Sequence, residues 1–111
     1  MLDKEFLDSI VWVDGFTLTP DALSVKVLCI EDDSEVKYSL DFIEVNYFVF
    51  RQEEPSTEFS VIDTFLERFN DSPFVDFMRS DKWVSHSVIR FHSGTHHLLV
   101  GFKGVTLAKR Q

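Results

Sequence analysis

The sequence predicts an α+β fold: an antiparallel, bent β-sheet of about five to six strands, with two short helices between a long central strand and a C-terminal β-hairpin. Three observations carry that expectation. Apolar residues alternate through Leu23, Val25, Val27 and Cys29 and again through Val36, Tyr38, Leu40 and Phe42, the period of a strand with one buried face. Phe59, Ile62, Phe65, Leu66 and Phe69 recur instead at helical spacing. The stretches 84–91 and 98–102 return to strand spacing on either side of Ser93-Gly94-Thr95, as a hairpin requires. With 111 residues, no repeat and no linker, the chain is expected to form one domain spanning 1–111.

The elements follow in order. Residues 10–13 and 16–18 are short β-prone pieces around Asp14-Gly15, a dipeptide suited to the positive φ of a tight turn, and Thr19-Pro20-Asp21 closes the segment. The strand from Leu23 ends in the turn Asp32-Asp33-Ser34. In the next segment Val36, Tyr38, Leu40 and Phe42 alternate on even numbers, whereas Ile43, Val45, Tyr47 and Val49 alternate on odd ones. A strand cannot change its buried parity without an extra residue, so a bulge or sharp bend is expected at Phe42-Ile43 within a long strand ending near Phe50. Glu53-Glu54-Pro55-Ser56-Thr57 then breaks the strand and offers acids and hydroxyl caps to a first helix. Ser72 is suited to cap a second helix, with Pro73 in its first turn and Phe74, Phe77 and Met78 on its apolar side. Gly101 and Gly104 are placed to bend the last strand.

Composition narrows the function classes. The hydrophobic fraction of 44% and twelve Phe separate the chain from disordered sequences. No apolar run is long enough to span a bilayer, and the acidic N-terminal residues lack the basic region of a secretory peptide, so the expected location is the cytoplasm. The lone Cys29 sits among Val27, Leu28 and Ile30, where a thiol packs as a small hydrophobe. Net charge is −8, distributed as −13 over residues 1–78 and +5 over residues 79–111. Such an acidic chain repels phosphate backbones, which disfavours nucleic acid and favours a basic protein partner.

Two constellations could carry recognition or chemistry. Acidic residues at turns and strand ends, Asp32, Asp33, Glu35, Glu53 and Glu54, are candidate partner contacts, with Trp83 as an aromatic anchor. The acids at 32–35 lack the glycine and terminal glutamate of a calcium loop, so turn chemistry is the better explanation of them. On the C-terminal hairpin, His86, Arg90 and His92 share one parity, and an even-numbered loop places His97 on the same face, beside Val84, Val88 and Leu99. Such a patch could hold a metal or an anion, or shuttle protons. No zinc-binding spacing, phosphate loop or nucleophile elbow accompanies it, no catalytic residue is assigned and no cofactor is expected.

The segments YSLDFIEVNYFVF at 38–50, SPFVDF at 72–77, HSVIRF at 86–91 and LLVG at 98–101 resemble small bacterial proteins similar to the immunity proteins of polymorphic toxin systems. The resemblance implies a binder that neutralises a toxin without doing chemistry, and it transfers no binding residue. The leading expectation is therefore a non-enzymatic acidic protein-binding domain of immunity-inhibitor type. The alternatives are a metal- or anion-binding protein or enzyme using His86, Arg90, His92 and His97, and a structural homodimer pairing through an exposed Val88 and Leu99.

Overall fold

Leu23, Val25, Val27 and Cys29 are completely buried in the computed structural model, which describes residues 2–55 and 58–110. Their strand, β2 (Ala22–Glu31), is the middle of an antiparallel sheet completed by β1 (Ile10–Leu18), β3 (Ser34–Ile43), β5 (Phe59–Ser60) and β9 (Gly104–Lys109), in the order β5-β1-β2-β3-β9. The remaining strands, β4 (Tyr47–Gln52), β6 (Asp63–Arg68), β7 (Ser87–His92) and β8 (His96–Phe102), make a second antiparallel sheet in the order β4-β8-β7-β6. The described residues are thus antiparallel and sheet-rich, but the sheet is divided in two rather than bent as one.

The reason is visible in the packing. Leu40 and Phe42 of β3 join the β2 residues in one apolar cluster with Ile89, Phe91, Leu98, Val100 and Phe102 of the second sheet. Two half-apolar sheets bury their faces against each other, each fully buried Val, Leu, Ile or Phe contributing on the order of 1.5–3 kcal/mol. The rings of Phe42 and Phe102 meet across that layer at 4.7 Å.

The parity slip at Phe42-Ile43 is where the chain leaves one sheet for the other. There is no bulge in a long strand: β3 stops at Ile43, Glu44 takes a left-handed φ of 50°, and β4 opens the second sheet at Tyr47. The return crossing lies at Lys103, between β8 and β9, where the Lys103 amide donates to the Ile43 carbonyl at 3.2 Å. Gly101 and Gly104 therefore flank a change of sheet. A further crossing separates two consecutive residues: the Val61 amide donates to Val11 O in the first sheet at 3.0 Å, and the Ile62 amide to His92 O in the second at 2.7 Å.

That crossing overturns the first expected helix. Residues 59–68 hold β5 and β6, with Phe59 paired to Val13 and Phe65 to Arg90. Ile62 and Phe65, which the helical spacing placed inside, are 63% and 46% exposed, because two short strands aimed at different sheets imitate the helical period. The second expected helix is also replaced. Residues 69–83 carry only single 310 turns at Phe69–Asp71, Asp76–Met78 and Asp81–Trp83. Of the caps expected for the first helix, Ser56 and Thr57 lie outside the described residues.

The α-helix that does form, α1 (Lys4–Ser9), begins where the Asp3 carboxylate accepts the Phe6 amide at 2.8 Å. Asp14-Gly15 is not a hairpin turn either. β1 runs through it, with a register shift between Val13 and Gly15 against β2, and the hairpin closes later, where Thr19 Oγ1 accepts the Ala22 amide at 3.1 Å. The Asp32-Asp33 turn forms as read, both residues having positive φ.

The 69–83 segment covers the outer face of the second sheet. Phe69, Val75, Val88 and Leu99 form a satellite cluster there, with Tyr47, Val49, Met78 and Trp83 packed against it. Val88 and Leu99, expected to be exposed for self-pairing, are each only 2% accessible. No helix among the described residues is long and apolar enough to cross a membrane.

Candidate functional site

Strand pairing arranges the outer face of the second sheet in rows. Arg51, His97, His92 and Asp63 stand side by side on β4, β8, β7 and β6, and the next row is Val49, Leu99, Arg90 and Phe65. Four residues, 93–96, separate the paired His92 and His97, which oppose each other directly and share their face with Arg90. Here the spacing argument and the structure agree.

His86 does not join that row. It lies ahead of β7, buried, its ring edge-on to Trp83 at 4.9 Å, with Nδ1 lacking any hydrogen-bond partner. His96 points the other way, buried and stacked on Phe59 at 4.8 Å. Among the described residues, no group of three or more His, Cys, Asp or Glu side chains is placed to hold a metal ion.

Arg90 is the unusual member of the face. Its guanidinium carbon sits 4.5 Å from the centroid of Phe65 on β6 and 4.5 Å from that of Phe74 in the covering segment, so the cation lies against two aromatic rings. One terminal nitrogen, Nη1, lies 3.3 Å from His92 Nδ1, Nε is buried without a partner, and no carboxylate pairs with the group among the described residues. Electrostatics keep the neighbouring His97 neutral: burial first, then the positive charge of Arg51, lower its pKa from 6.5 against the opposing pull of Glu53.

The acidic candidates fall into two separate places. Asp32 and Asp33 occupy the two-residue turn between β2 and β3, and Glu35 stands directly across from Ile30. Around that turn a broad depression of about 500 Å3 is lined by Asp3, Glu5, Asp8, Glu31 and Asp32 together with Ile30 and Phe6. Ile30 is 41% exposed at this acidic rim. Glu53 and Glu54 lie beyond β4 instead, their amides donating to Thr95 O at 2.8 and 3.4 Å. Trp83 is half-buried against Phe69 and His86, so its ring serves the satellite cluster.

Sequence reasoning missed Asp3, Glu5 and Asp8, although Asp3 ahead of a short amphipathic run was a helix-start signal that would have drawn them to one element. It also missed Phe65 and Phe74 as walls for Arg90, having assigned both to helices. No family model, no curated protein and no solved structure matches this chain. The reading of function therefore rests on the residues themselves.

Proposed function

We propose that this chain is a non-enzymatic protein-binding domain that docks a basic partner, in the manner of an immunity-type inhibitor of a bacterial toxin. The observation that carries the reading is the depression at the β2–β3 turn, whose lining combines exposed Ile30 with Asp3, Glu5, Asp8, Glu31 and Asp32. An apolar centre inside a charged rim is the usual composition of a protein interface, with the rim steering a cationic partner and the centre supplying contact area. Asp33 and Glu35 extend the same rim. Attraction of this kind weakens as salt screens it over about 8–10 Å.

Partner capture by tagged protein at low and moderate ionic strength tests the reading, with Ile30→Asp and the pair Asp32→Lys, Glu35→Lys as controls. A basic protein held by the wild type and released by both variants supports it. Equal capture by all three proteins rejects this surface as the docking site.

A further inference from the structure

A second site lies on the opposite sheet and is independent of the proposed docking surface. Beside Arg90 is a cleft of about 220 Å3, lined by Pro73, Val88 and Leu99 together with Ser72 and Glu67. Withdrawing a guanidinium from water between two rings is unfavourable unless its N–H groups find acceptors. Here the buried Nε has none among the described residues, and Nη1 lies against an imidazole nitrogen, His92 Nδ1. Ser72 Oγ accepts the Phe74 amide at 3.2 Å, which leaves its own proton free to donate.

We propose that this cleft binds a small monocarboxylate with a flat apolar body, its carboxylate held by the outward edge of Arg90. The planar fork of a guanidinium matches a carboxylate, and contact with two rings restricts that fork before any ligand arrives. The apolar walls accept a hydrocarbon body, the arrangement common in small-molecule sites. Glu67 selects against higher charge. Its carboxylate lines the same cleft, so a dianion such as a phosphate monoester would meet repulsion that a single negative charge on Arg90 offsets.

Titration of the folded protein with sodium benzoate, followed by backbone and arginine side-chain nitrogen–proton correlation spectra, tests the site. Saturable shifts are expected at Arg90, Leu99 and 72–74. Benzyl alcohol, with the same ring and no charge, should produce none. Arg90→Lys keeps the charge without the fork and should bind benzoate about tenfold more weakly or worse, the loss expected for a charge-assisted pair. Phe74→Ala removes an exposed ring rather than a core residue and should weaken binding in the same direction, which keeps the test valid if the Arg90 variant unfolds. The proposal is overturned if benzoate gives no saturable shift, if its shifts lie elsewhere, or if inorganic phosphate or acetylated tetraglutamate binds at least as tightly. None of these results bears on the acidic surface around Ile30, whose variants leave the cleft intact.

Discussion

Arg51 stands directly across from His97 on the β4–β8 pair, and His92 faces the same ring from β7. Burial first, and then the positive charge of Arg51, make His97 hold a proton less tightly than a free imidazole. Its folded-state pKa is below 6.5, the unfolded value, so the unfolded chain takes up the proton first as pH falls. The stabilisation from a neutral His97 is therefore complete above about pH 6.5 and is lost as pH falls through the lower folded value. Proton-carbon spectra should place His97 below 6.5 in the native protein. Arg51→Gln should move it upward, and an unchanged midpoint would remove Arg51 as a cause.

Gly101 is a contact point between layers. A Cβ built there would lie 2.5 Å from Asn46 Oδ1 and 2.8 Å from a Phe69 ring carbon, whereas one at Gly94 would meet nothing within 4 Å. Gly101→Ala is predicted to cost about 1–3 kcal/mol in urea denaturation, the usual range for overpacking. Gly94→Ala should stay within about 0.5 kcal/mol of wild type.

Arg110 ties the edge of the first sheet to its centre. The side chain donates from Nε to Tyr38 O at 3.1 Å and from Nη2 to Val27 O at 3.1 Å and Asp14 Oδ2 at 3.3 Å. Arg110→Ala should cost about 1–2 kcal/mol, since these are charged donors in a partly screened setting. Arg110→Lys restores one point charge and should recover only part of that loss.

Asp32 and Asp33 are both held at positive φ, 49° and 63°, in the tight turn between β2 and β3. Asp33→Gly should stabilise the fold by about 1 kcal/mol, since glycine takes this conformation without penalty. It should also weaken capture of a basic partner. A variant that gains thermal stability yet captures undiminished would show that the turn carboxylate is there for geometry alone.

Much of this arrangement was legible where the signal is local. The β2 and β3 alternation, the Asp32-Asp33 turn and the shared face of Arg90, His92 and His97 all follow from period-2 geometry and an even loop. What was illegible depends on distant partners. Nothing near Phe59 or Phe65 states that one pairs with β1 and the other with β7, and their spacing fits a helix face equally well. The parity slip at Phe42-Ile43 was real, but a bulge and a change of sheet produce the same local pattern. The Arg90 site shared that fate, because Phe65 reaches it through the β6–β7 pairing and Phe74 through the covering segment.

Adjacent peptide units at Val61 and Ile62 donate to opposite layers, within 3.0 and 2.7 Å of their acceptors. Neither layer can melt while the other keeps its full ladder, because the connection between them has no slack to extend. Denaturation should therefore proceed as a single cooperative transition, and the amides of Val61 and Ile62 should exchange with solvent only through complete unfolding.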